Sequence, residues 1–174
     1  MNAAMTHWVK LYGWWFVFLL PALIFLPGIG GFTFIQGTSF NDIAISHYPM
    51  AVYIQTAIRE TGQIPLWSNT ILSGVPLAAN PLASLFYPPQ WLALLLPLPF
   101  GLNLVAILHM MFGGVGMYRL MRQEGVSGAA ALMGAVAFEA MPKLATHWAA
   151  GHLTLVYAVS WTPWLLLAER KTRQ

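Results

Sequence analysis

The sequence has no cysteine, a single aspartate and very little charge of either sign. Without cysteine there are no disulfides and no thiolate metal sites, and nothing marks a redox compartment. Charged residues make up 7% of the 174 positions, against about 25% in an average soluble domain. Eight Lys and Arg with five Asp and Glu cannot furnish a water-facing surface for a chain of this length. The net charge of +3 does not point to nucleic acid, because most of the cations sit at the ends of apolar stretches rather than in one patch. What is abundant is apolar: 58% of the residues are hydrophobic. That surface must face lipid or other protein. The chain therefore reads as an all-α, polytopic membrane protein forming a single membrane domain.

A helix needs about 20 apolar residues to cross a bilayer. Four segments approach that length, at about 11–30, 101–118, 126–147 and 152–168. No charge appears from Leu11 to Asn41, and no A-x-A site follows the first apolar core. An uncleaved signal-anchor helix is thus expected rather than a secretory signal. Pro97 and Pro99 should separate the entry segment Trp91–Leu98 from the second span. The third span is the shortest before its first charge, since Val126–Phe138 precedes Glu139. It is expected to be a broken helix or two halves meeting a cavity, where backbone groups at membrane depth can be satisfied. Pro163 should kink or loosen the fourth.

Cytoplasmic flanks are enriched in Lys and Arg. With the amino terminus inside, the inner set is Lys10, Arg119, Arg122, Arg170, Lys171 and Arg173, and the outer set is Arg59 and Lys143. That asymmetry orients the chain, which is expected in the cell's inner (plasma) membrane, with the segment 31–90 as one long extracytoplasmic loop. Trp14, Trp15, Trp67, Trp91, Trp148 and Trp161 are assigned to the interfaces, where an amphipathic ring is favoured. In the loop, Pro49 to Glu60 reads as a helix stopped by Gly62. Ala51, Ile54, Ala57 and Ile58 fall on one side, giving a short amphipathic helix suited to lying on the membrane. The Pro- and Gly-rich stretch that follows is interleaved with Leu66, Trp67, Leu77, Leu85 and Phe86. An ordered lid is expected there rather than a disordered linker.

Few residues can carry chemistry. Asp42 lies just beyond the first span. It is either a catalytic carboxylate that takes a proton from an acceptor hydroxyl, or a first-turn acid at a helix start capped by Ser39 or Asn41. Glu139, Lys143 and His147 are spaced to share one face of an unbroken helix. Glu139 and Lys143 then form a structural ion pair, or the three line a polar stripe facing a cavity, with Pro142 complicating either arrangement. His152 could hold a phosphate or a sugar hydroxyl, or simply end a helix. Arg59 has the planar fork that matches phosphate, or it is the solvated end of the amphipathic helix. His47, His147 and His152 could converge with Asp42, but no zinc spacing such as H-E-x-x-H occurs. No metal site is assigned and no cofactor is expected, with a divalent metal left open. His109, within the second span, reads as a satisfied core histidine. Gly113, Gly114 and Gly116 read as small residues that permit close helix packing.

Several short motifs follow one another along the chain. Asn41-Asp42 precedes Tyr48-Pro49, and Arg59-Glu60-Thr61-Gly62-Gln63-Ile64-Pro65-Leu66-Trp67-Ser68-Asn69 follows. Then come Gly74-Val75-Pro76-Leu77, Phe86-Tyr87-Pro88-Pro89, His109 before Gly113 to Tyr118, and Gly151-His152 before Trp161-Thr162-Pro163-Trp164 and Glu169-Arg170. In this succession, over nearly its whole length, the chain resembles the amino-terminal region of YfhO-like bacterial membrane proteins, within the GT-C class of membrane glycosyltransferases. The resemblance implies transfer of a sugar from a polyprenyl-phosphate-linked donor to a glycan or lipid acceptor. It implies an acidic general base in the first outer loop, which maps to Asp42. Arg59, Lys143 or His152 would be candidates to stabilise the departing phosphate, an inference from charge rather than from a family motif. Members of that class are much longer, so the chain is expected to be the front portion of a larger protein, with little activity alone. The rival expectation is a non-enzymatic transporter or lipid-handling subunit built on Glu139, Lys143 and the histidines.

Overall fold

The computed structural model describes positions 15, 17, 19–23, 28–29, 41–70 and 73–173. Most of the expected first span at 11–30, together with Trp14, Ser39 and Leu72, lies outside the described residues. Positions 15, 17 and 19–23 are helical. Among the described residues every named element is a helix or a helical turn. The one extended pairing is an isolated bridge between Ser68 and Val75. The all-α expectation therefore holds. The chain groups into two compact units. One comprises Gly28–Val105 with Ala149–Thr154, and the other comprises Met1–Pro27, Ala106–Trp148 and Leu155–Gln174.

The first unit is built on a π-helical turn, Ile43–His47, that runs directly into helix α1, Tyr48–Thr61. Pro49 suits the first turn, where its missing N–H has no helical partner to lose. Gly62 ends the helix at φ 67°, with its N–H on the Ile58 carbonyl at 2.9 Å, because the left-handed stop favours a residue without Cβ. Met50, Ala51 and Ile54 are buried. Their face packs on the 3-10 turn Pro81–Ala83 and on helix α2, Pro88–Leu94. The apolar face of the amphipathic helix is thus divided: Ala51 and Ile54 are covered by protein, while Ala57 and Ile58 stay half-exposed. The loop's large apolar groups divide. Leu77 and Leu85 are buried, whereas Ile64, Leu66, Trp67 and Phe86 are exposed.

Gln55 ties α1 to the end of α2. Its Nε2 donates to the carbonyls of Leu94 at 2.7 Å and Leu96 at 3.2 Å, two groups a helix end leaves without intrahelical partners. The chain then breaks at the expected prolines and restarts as α3, Phe100–Gln123. Gly101 sits against the Ala93 backbone so closely that a Cβ would collide with the Ala93 carbonyl.

The second unit holds most of α3, then α4 (Gly128–Glu139), α5 (Pro142–Ala149) and α6 (Leu153–Thr172). Helix α4 starts at Ser127, whose hydroxyl accepts from the Ala130 N–H at 3.4 Å. It runs antiparallel to α3: Gly134 meets Met121, and Glu139 meets Gly114. Helix α6 runs parallel to α3. His109 stacks on Tyr157 with ring centroids 4.2 Å apart, Gly113 meets Ser160, and Trp164 donates to the Phe112 carbonyl at 2.9 Å. Near the carboxyl ends of both helices, Arg170 pairs with Glu124 at 3.0 Å. Small residues on α3 do what the sequence suggested and admit bulky neighbours.

The expected third span is broken at Ala140 and Met141 into α4 and α5. These are 12 and 8 residues long, or about 18 and 12 Å, each too short to cross a bilayer. Among the described residues one helix, α3 with 24 residues, is long and apolar enough to cross. Trp148, assigned above to a membrane interface, is 1% exposed, packed within the protein.

Candidate functional site

The site begins with the local geometry around Asp42. The Asn41 side chain accepts from the Ala44 N–H at 2.9 Å and so caps the turn. Asp42 opens the same turn but makes no side-chain cap bond. Asn41 thus supplies the cap that the first-turn reading of Asp42 expects, and the Asp42 carboxylate, which makes no cap bond, is left for other partners. The Asp42 backbone is fixed from the far end of the chain. Its N–H donates to the Ala150 carbonyl at 3.0 Å.

That contact depends on Gly151. The residue has φ 86°, and a Cβ there would lie 2.5 Å from the Ile43 nitrogen and 2.6 Å from the Asp42 nitrogen. Glycine accepts both the conformation and the approach. The next residue, His152, consequently sits beside Asp42, with Nε2 3.4 Å from Oδ2. Both side chains are about two-fifths exposed, so this acid–imidazole pair is open to a ligand.

His47 completes the cluster from beneath. It is 4% exposed, and its Nδ1 lies 3.1 Å from the Leu82 carbonyl, which can only accept, so Nδ1 carries the proton. Its Nε2 is buried with no hydrogen-bond partner among the described residues. Burial holds the His47 imidazole below its ordinary pKa. The Leu82 carbonyl and the Asp42 charge act in the opposite direction, and His152 adds to the lowering. Burial disfavours the charged ring, so His47 is neutral around pH 7.

Of the residues singled out in the sequence, Asp42, His47 and His152 come together. Arg59 does not join them. It lies eleven positions beyond Tyr48 on α1, about 16 Å along the helix axis. In the other unit, Glu139 is 3% exposed, and neither carboxylate oxygen has a partner among the described residues. Lys143 is exposed on α5. The break between α4 and α5 separates the two, so the expected Glu139–Lys143 ion pair does not form, nor does a continuous face running on to His147. Among the described residues no group of three His, Asp or Glu is placed to hold a metal ion.

The sequence offered Asn41 as one of two candidate caps, but gave Gly151 no structural part. A glycine directly before a histidine was the available signal for Gly151. Leu82 and Ala150, which act through their carbonyls, carry no side-chain signal. Comparison with protein-family models, curated proteins and solved structures finds no match for this chain.

Proposed function

We propose that this chain carries the acceptor-activating site of a membrane glycosyltransferase that uses a polyprenyl-phosphate-linked sugar, with Asp42 as general base. The observation that carries the reading is a carboxylate anchored through its backbone and half-open beside an imidazole. In the reaction the Asp42 carboxylate takes the proton of an acceptor hydroxyl as that oxygen attacks the anomeric carbon. The bond from that carbon to the phosphate oxygen breaks, and polyprenyl phosphate leaves with the electron pair. Attack opposite the leaving group inverts the anomeric centre. Phosphate is a good leaving group, so one base suffices where a glycosidase employs two carboxylates. His152, in contact with Asp42, orients the carboxylate and offers a ring donor to the departing phosphate. His47 supports the pair as a neutral ring.

The site belongs on the extracytoplasmic face of the inner membrane, with four spans, the amino terminus inside and loop 31–90 outside. The parallel course of α3 and α6 supports this placement. It gathers Arg119, Arg122, Arg170 and Arg173 near the carboxyl ends of the two helices, as expected of a cytoplasmic flank. Helix α6 begins at Leu153, directly after His152. Asp42→Asn in the native membrane should abolish transfer from polyprenyl-phosphate hexoses while leaving insertion unchanged. Undiminished transfer would reject Asp42 as the base.

A second reading has its own observation. A buried carboxyl without a partner, as at Glu139, is a functional hypothesis at membrane depth. It favours a transporter in which Glu139 exchanges a proton with a passing substrate. Under that reading Glu139→Gln stops pH-dependent flux and Asp42→Asn does not.

A further inference from the structure

Away from the Asp42 site, α1 and α2 enclose a groove of about 390 Å³ lined by Gln55, Ile58, Arg59, Trp91, Leu94 and Leu95. That volume lies within the usual range for a ligand pocket, roughly 300–1,000 Å³. The walls are stiff, because Gln55 binds the Leu94 and Leu96 carbonyls across it. They are also apolar, and Arg59 is the one charged side chain in the lining. Arg59 makes no ion pair among the described residues. At the groove's edge Leu95 is 80% exposed, and Leu92, one turn back, is 41% exposed. Five residues after Leu95 the chain enters α3, the helix long and apolar enough to cross a membrane.

We propose that this groove binds one anionic phospholipid, its acyl chain against Ile58, Trp91, Leu94 and Leu95 and its phosphate on Arg59. The chemistry excludes simpler occupants. Free phosphate would engage Arg59 and leave the apolar wall wet. A zwitterionic lipid would fill the wall but present a cation of its own beside the guanidinium. An anionic lipid satisfies both, since the arginine fork matches phosphate oxygens and the wall removes hydrocarbon from water. Trp91 contributes an amphipathic ring of the kind that settles at headgroup depth. Arg59 stands too far along α1 to act on a phosphate leaving from Asp42. The groove is therefore a lipid site separate from the proposed reaction, and its test does not depend on that reaction.

The experiment is photolabelling of the full chain in phosphatidylcholine vesicles containing phosphatidylglycerol with a diazirine in its acyl chain. Labelled residues are mapped by mass spectrometry. The label should fall on Ile58 and on Trp91 to Leu95. Excess phosphatidylglycerol should compete, while excess phosphatidylcholine and inorganic phosphate should not. Arg59→Gln should weaken the preference for the anionic lipid about fivefold, the worth of one basic residue at an anionic surface, and Arg59→Lys should keep most of it. Leu95→Glu changes an exposed position without touching the core and should reduce labelling by charge repulsion. Circular dichroism of each variant should match the parent. Labelling spread evenly over the spanning helices, equal competition by phosphatidylcholine, or labelling indifferent to both Arg59→Gln and Leu95→Glu would overturn the proposal.

Discussion

Replacing Gly151 with alanine tests how the Asp42 site is held together. Two costs arise. At φ 86° an L-residue loses about 1–2 kcal/mol relative to glycine. The new methyl would also stand 2.5 Å from the Ile43 nitrogen and 2.6 Å from the Asp42 nitrogen. Both neighbours are backbone and cannot swing aside, so the Asp42 turn must move off Ala150. That motion breaks the Asp42 N–H bond to the Ala150 carbonyl, at about 1 kcal/mol or more with the donor left unmet. Together the local penalty is about 2–4 kcal/mol. At 1.4 kcal/mol per tenfold, the Asp42 and Ile43 amides should exchange roughly 30- to 700-fold faster in a hydrogen-exchange experiment on detergent-solubilised protein. Gly62→Ala is the control. It has a similar positive φ, 67°, with nothing within 4 Å, so it pays the conformational cost alone and should leave the Asp42 amide unchanged. Asp42 and Ile43 exchanging at parental rates in Gly151→Ala would refute the claim that Gly151 holds the site closed. The same substitution should lower transfer about a hundredfold, because displacement of a reacting group by an ångström carries a penalty of that order.

Three further outcomes are expected. The folded His47 pKa lies below its ordinary 6.5, so the unfolded chain binds the extra proton first as pH falls. Stability is then full above about pH 6.5 and declines below it toward the folded pKa; thermal melts across that window should show the decline, and His47→Gln should flatten it. Glu139→Met removes a buried carboxyl without a partner and should raise the melting temperature in detergent, since an apolar group of similar shape escapes the cost of an unmet polar one; a lowered melting temperature would mean the carboxylate has a partner in the membrane. Gly114→Ala places a methyl against the Glu139 carboxylate and should destabilise the α3–α4 pair by about 1–3 kcal/mol, an effect that Glu139→Ala should relieve in a double-mutant melt.

Much of the secondary structure was legible because it rests on local rules. Pro49 and Gly62 bracket α1 as proline and glycine bracket helices generally, and Pro97 and Pro99 separate α2 from α3. Glu139 and Pro142 marked the third apolar segment as interrupted, and it breaks between them. Tertiary facts were not legible. Periodicity showed that Ala51 and Ile54 share a face but not that Pro81–Ala83 and α2 would cover it. Spacing placed Glu139 and Lys143 one turn apart on a helix that stops before it can pair them. The site itself joins Asp42 to His152 across more than a hundred residues, and two of the groups that fix it, the carbonyls of Leu82 and Ala150, are ones every residue possesses. The motif Gly151-His152 pointed to the place, and only the close backbone approach explains why glycine stands there.

The most direct measurement is the rate of sugar transfer from a polyprenyl-phosphate donor in right-side-out membrane vesicles to an impermeant acceptor added outside. The parent protein should glycosylate that acceptor, and Asp42→Asn should be slower by roughly 10²- to 10⁴-fold, the usual contribution of a general base. Equal rates in the two proteins, or transfer that requires the acceptor inside, would contradict an outward-facing Asp42 as the base.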